Sequence, residues 1–177
     1  MTYLEVQPHL TEIKNVVLSR RMPPWGAVKG FGDFRNDQGL TQEEIEVVSD
    51  WIDADAPKGN NPAVLPPIPK FSKPSTFVKP KGALEAQADF TLDRTFVLDG
   101  IFPDKVPAGK SIKIIALLPD SRVEPLLWLY EYRDGFQHAF LFRKPIELPA
   151  GTRISGIPNE TRVLLLPGKK PSDKSRP

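Results

Sequence analysis

The chain has 177 residues, 24 Lys/Arg against 22 Asp/Glu, two His and no Cys. Without cysteine there are no disulfides, zinc–thiolate sites, thiol nucleophiles or iron–sulfur clusters, and a net charge of +2 is too small to name a partner. No apolar run approaches the roughly 18 residues that a spanning helix needs, and Met1-Thr2-Tyr3-Leu4-Glu5 lacks the basic-then-apolar pattern of a secretory signal. Charge is uneven: residues 1–60 hold 6 Lys/Arg against 10 Asp/Glu, and residues 61–177 hold 18 against 12. The later basic residues are interspersed in strand-like segments, which reads as a solvated surface and not as a nucleic-acid patch.

In chain order, Thr2 and Glu5 have capping-box spacing. Leu10, Ile13, Val16 and Val17 then mark one apolar helix face to about Arg20, with the helix starting near Gln7 or kinking at Pro8. Arg21-Met22-Pro23-Pro24-Trp25 follows as an irregular loop. A second helix opens at Leu40-Thr41-Gln42-Glu43-Glu44-Ile45, with Thr41 as cap, Glu44 reaching back, and Leu40 and Ile45 as a hydrophobic staple. Ile45, Val48, Trp51 and Ile52 form its apolar face, and Pro57 biases its predecessor out of the helical region to end it. Two helices and a loop are too little for an independent core.

Residues 58–80 read as a linker, with Pro62, Pro66, Pro67, Pro69, Pro74 and Pro80 favouring an extended, semi-rigid spacer. Strands follow at Thr95–Leu98, Ile112–Leu118, Val123–Tyr132 interrupted by Pro125, Thr152–Ile154 and Arg162–Leu166. Asp134-Gly135 is a tight-turn signal, and Phe136, His138, Phe140 and Phe142 share one face of the strand after it. Short strands at this spacing predict an antiparallel sandwich of the jelly-roll kind. The tail from Gly168 to Pro177 is basic and has a disordered composition.

The Met-Pro loop followed by a capped Leu-Thr-x-x-Glu-Ile helix resembles the C-terminal half of a class I cytochrome c domain. That resemblance implies Met22 as the thioether ligand of haem iron, Leu40–Ile52 as the final helix over the haem, and Trp25 and Trp51 as aromatic neighbours of the cofactor. It also implies that the Met22 sulfur points between the Leu10–Val17 face and the Trp51 helix. The Cys-x-x-Cys-His segment of that family has no counterpart here and would precede Met1, so covalent haem c belongs to an upstream-extended form.

The later part resembles the C-terminal sandwich of copper type II, ascorbate-dependent monooxygenase-like proteins. The residues that carry this are Ile101-Phe102-Pro103, Gly109-Lys110-Ser111-Ile112-Lys113-Ile114 and Leu148-Pro149-Ala150-Gly151-Thr152-Arg153-Ile154. Bacterial members carry this sandwich fused after the same cytochrome c-like domain. Copper-binding members have His-x-His after Phe-Pro. Here Asp104 and Val106 stand at those positions, Val106 cannot ligate, and Asp104 is a poor substitute for imidazole. Copper is therefore not expected and no catalytic residue is assigned.

The sequence is read as an α+β chain of several parts: a helical cytochrome c-like segment over 1–57, a linker over 58–80, a β-sandwich over 81–167 and a disordered tail over 168–177. The expected role is haem-associated electron transfer outside the cytoplasm, with a redox partner protein or an upstream haem-bearing segment. The alternatives are a cofactor-free structural or interaction module and, last, a monooxygenase-like enzyme. Neither nucleic acid nor a membrane span is expected.

Overall fold

The computed structural model describes residues 2–60 and 77–169. The chain divides into two compact units, Met1–Pro23 with Leu40–Thr76, and Pro24–Gly39 with Phe77–Pro177. The expected helical unit over 1–57 is thus not continuous: residues 24–39 leave it and join the sandwich. The physical reason is apolar burial, since Trp25, Ala27 and Phe34 all sit in the sandwich core. Residues 61–76 of the expected linker and 170–177 of the expected tail lie outside the described residues.

The first unit holds α1 (Tyr3–Val6), a 3₁₀ turn (Gln7–His9), α2 (Leu10–Leu18) and α3 (Gln42–Asp53). Pro8 sits inside the 3₁₀ turn, so the first apolar segment is interrupted there, as a proline without an N–H requires. At α3, the Glu44 N–H donates to the Thr41 hydroxyl (3.1 Å) and the Thr41 N–H donates to the Glu44 carboxylate (2.7 Å), completing the expected capping box. The helix ends at Asp53, ahead of Pro57 as expected. Asp55 and Ala56 adopt left-handed φ values of 60° and 47°, and the Ala56 N–H returns to the Trp51 carbonyl at 2.8 Å. Ala56 is fully buried there and its carbonyl accepts the Tyr3 hydroxyl at 2.9 Å. A turned-back chain keeps those backbone groups paired, and this outweighs the extended preference of a residue before proline.

The second unit contains two four-stranded antiparallel sheets built from β1 (Leu84–Ala86), β2 (Phe90–Thr91), β3 (Phe96–Lys105), β4 (Ile112–Leu117), β5 (Val123–Leu129), β6 (Phe140–Leu148), β7 (Arg153–Ser155) and β8 (Arg162–Pro167). Their orders are β1-β8-β3-β6 and β2-β7-β4-β5. The chain is therefore α+β with a sandwich-like β body. Leu98, Ile101, Ile114, Leu127, Leu129, Phe140 and Val163 are among the inward residues that build the core between the sheets. β8 buries Val163 to Leu166 in succession, because Val163 and Leu165 face that core while Leu164 and Leu166 pack with Phe102 in a smaller outer cluster.

Several strand expectations shift. β3 runs on through Phe102-Pro103 to Lys105, and Asp134–Phe136 forms a 3₁₀ turn instead of a two-residue hairpin. β6 starts only at Phe140, so Phe136 and His138 precede the strand on whose face they were expected. Pro125 is accommodated within β5, which lies at the end of its sheet order, next to a register shift opposite Ile114/Ile115. A strand edge tolerates the missing donor.

Residues 24–39 form a strap. Ala27 bridges Leu129 of β5 and Phe34 bridges Phe142 of β6. These two strands end the two sheets, so the strap covers one open edge of each and blunts both against further pairing. At its distal end the Arg35 guanidinium donates twice to the Asp99 carboxylate, at 2.8 and 2.9 Å, and once to the Phe142 carbonyl at 2.8 Å. Arg143 meets Asp33 at 3.0 Å.

Candidate functional site

The three residues singled out for a cofactor are divided between the two units. Met22 belongs to the helical unit, just after the Ser19–Arg21 turn that ends α2, and its N–H donates to the Val16 carbonyl at 3.1 Å. Its side chain is 50 % exposed, so it is not enclosed between the α2 face and α3 as expected. Trp51 is half-buried on α3, where its indole N–H donates to the Pro57 carbonyl at 3.1 Å and so helps seat the turned-back chain. Trp25 is 2 % exposed inside the other unit. Its ring meets Phe34 edge-on at 5.9 Å, Phe140 edge-on at 4.9 Å, and stacks on His138 at 4.9 Å. Those contacts seat Trp25 in the sandwich core.

The positions expected to have lost copper ligands are occupied by ordinary structural contacts. The Asp104 carboxylate accepts from the Arg162 guanidinium of β8, and Val106 is 7 % exposed and part of the main core. Of the two histidines, His9 lies exposed in the helical unit, 3.8 Å from Glu12, and His138 lies in the sandwich. Among the described residues, no group of three or more His, Cys, Asp or Glu could hold a metal ion. The donor set does not fit copper. Metal analysis after copper loading is expected to find no stoichiometric copper; one equivalent retained by the wild type and lost in His138→Ala would contradict this.

For haem the fit is confined to one position. The chain has no cysteine for thioether links, and Met22 is the most exposed residue of the expected set. A half-exposed thioether is a soft donor for iron; the second axial donor and the anchoring of the macrocycle would have to come from elsewhere.

Sequence reasoning did not foresee the cluster of Trp25, Phe34, His138, Phe140 and Phe142. Phe34 stacks on Phe142 at 5.2 Å and His138 leans on Phe140 at 4.5 Å. Four aromatic or imidazole side chains at alternating positions from Phe136 to Phe142 were one half of the signal. The other half lies more than a hundred residues earlier in the chain, where nothing local marks it as their partner. Burial holds the His138 imidazole below its ordinary pKa of 6.5, with backbone groups of Ala139, Pro24 and Trp25 acting in the opposite sense. Its Nε2 is buried without a hydrogen-bond partner.

A shallow cleft lies elsewhere on the sandwich, lined by Ala108, Gly109, Glu131, Tyr132 and Arg133. Glu131 adopts a left-handed φ of 45°, and its N–H donates to the Ser111 hydroxyl at 3.0 Å. Arg133 stands 3.9 Å from Glu131, both about half exposed, an arrangement that contributes little by itself.

What the fold and the side-chain placement define is an α+β chain with a sandwich-like body and no assembled metal centre among its described residues. No protein-family model, no curated protein and no solved structure matches the chain.

Proposed function

We propose that the chain is a haem-associated electron-transfer protein. In this reading the helical unit offers Met22 to a haem carried by another segment or protein, and the sandwich serves as a metal-free module. The observation that carries it is the half-exposed Met22 thioether, set at the end of α2 by its backbone bond to Val16. A second support is the small core of the helical unit: Val17, Ile45 and Ala56 are its buried apolar residues among those described, while Leu4, Leu18, Met22 and Val47 are exposed. Such a unit gains from a further apolar surface laid against it. Thioether ligation would raise the haem potential. The strand order supports a jelly roll for the sandwich, which accords with the copper monooxygenase-like resemblance. The expected setting, outside the cytoplasm, rests on that resemblance.

The test is an optical titration with ferric haem carried on a Cys-x-x-Cys-His peptide, which brings its own histidine ligand. The absorption band of thioether-ligated ferric haem is expected with the wild type and absent with Met22→Ala. No spectral change with the wild type would overturn the reading.

A second reading, a cofactor-free structural or interaction module, is favoured by the Asp104–Arg162 pair and the buried Val106, which occupy with structural contacts the positions where the resemblance would put copper ligands. It stands if the titration is silent and the chain is folded.

A further inference from the structure

We propose that His138 is an acid-sensitive latch that holds the Trp25 end of the 24–39 strap against the sandwich and releases it on protonation. The proposal does not depend on haem association. It rests on geometry at the point where the strap meets the β body. The imidazole is nearly parallel to the Trp25 indole, at 4.9 Å and 23°, and tilted against Phe140 at 4.5 Å. Nδ1 lies 3.4 Å from the Ala139 carbonyl. A proton on Nδ1 uses that carbonyl, and Nε2 is then a buried lone pair with no donor. A neutral ring tolerates this. A second proton would place a buried N–H⁺ between aromatic surfaces, where the backbone groups of Ala139, Pro24 and Trp25 offset the cost of burial only in part.

Among the described residues, the charged groups of the elements packed against His138 are engaged elsewhere. On the strap, Lys29 pairs with Asp37, Asp33 with Arg143 of β6, and Arg35 with Asp99 of β3. On the segment that carries His138, Arg133 faces Glu131, and on neighbouring β3 Asp104 pairs with Arg162. Each is engaged with another charge, and none is bonded to the imidazole. Burial accordingly lowers the folded-state pKa of His138. Its contribution is fully present above the unfolded value of 6.5 and is lost as the pH falls from there through the lower folded value.

The two ends of the strap then respond at different pH. The distal clamp uses Asp99, whose pKa is held below its ordinary 3.8 chiefly by the hydrogen bond from Arg35, so the clamp stays ionised in mild acid. Mild acid therefore unpins the Trp25 end while the Arg35 end holds.

Residue-resolved hydrogen exchange between about pH 8 and about pH 5.5 brackets the titration of an imidazole and tests this on the intact chain. Two amides report the proximal end, Val28 to the Trp128 carbonyl and Tyr130 to the Gly26 carbonyl. Two report the distal end, Arg35 to the Leu141 carbonyl and Arg143 to the Asp33 carbonyl. After correction for intrinsic rates, the Val28 and Tyr130 amides should lose protection at the lower pH by up to about tenfold, the most that one imidazole can contribute over this range, while Arg35 and Arg143 keep theirs. In His138→Phe, which keeps a flat ring but cannot charge, the loss should vanish. The same loss in His138→Phe, or unchanged Val28 and Tyr130 protection in the wild type, would overturn the latch. If that variant does not fold, a proton NMR titration of the wild-type His138 ring decides. A folded-state pKa below that of exposed His9 supports the latch, and one at or above it sinks it.

Discussion

Trp25→Ala is expected to lower the unfolding free energy by about 3–5 kcal/mol. The side chain is almost wholly buried and touches Phe34, His138 and Phe140 at once, so truncation removes apolar area and leaves a cavity in a packed aromatic cluster. The strap has few other apolar anchors, Ala27 and Phe34 among them, and losing the largest should also expose the edges of β5 and β6. Urea unfolding of wild type and variant measures the difference. A cost below about 1 kcal/mol, the scale of a surface substitution, would mean that the strap is not part of the sandwich core. Trp25→Phe should recover much of the loss, because a smaller ring still fills most of the site.

Gly156→Ala should be at least as damaging, for a different reason. Gly156 has a φ of 96°, and a Cβ there would stand 1.9 Å from the Lys113 carbonyl oxygen and 2.9 Å from its carbon. Both obstacles are backbone atoms of β4, so no rotamer change relieves them. The site is further pinned by Asp89, whose carboxylate accepts from the Gly156 N–H at 2.8 Å, the Ile157 N–H at 3.0 Å and the Ser155 hydroxyl. Relief requires moving β7 off β4 or breaking that network, and a loss of more than about 4 kcal/mol or failure to fold is expected. Gly30→Ala is the control. Its φ of 83° is equally left-handed, but nothing lies within 4 Å of an added Cβ, so only the conformational cost of about 1–2 kcal/mol applies. Equal losses at the two positions in thermal or urea unfolding would remove the clash as the cause.

The parts of this architecture that the sequence reveals are those set by local rules. The α3 capping box at Thr41 and Glu44 needs only neighbours three residues apart, and it forms as expected. Ile112–Leu117 and Arg162–Pro167 are strands whose β-branched or apolar runs suffice to mark them. The short strands Leu84–Ala86 and Phe90–Thr91 are too brief to carry a period, and their partners Val163–Leu165 and Arg153–Ile154 lie some sixty to eighty residues on in the chain. The strap was the hardest to foresee. Trp25 follows a Met-Pro pair that points toward a helical neighbour, and only the tertiary fold supplies the stronger competitor, an aromatic cluster around Phe140. The same competition explains the candidate site. Met22 stays with the helices while Trp25 leaves them, so a motif that is contiguous in sequence is shared between two units.

The central claim is that Met22 is an available iron ligand, and the most direct measurement is NMR of its methyl group. The chain has two methionines, Met1 and Met22, so a methyl-labelled sample gives two signals that Met22→Leu assigns at once. On addition of the ferrous haem peptide, the account predicts that the Met22 methyl resonance moves far upfield, under the ring current of a macrocycle to which its sulfur is bound. If both methyl signals keep their positions with the haem peptide in excess, Met22 is not a haem ligand and the electron-transfer reading fails.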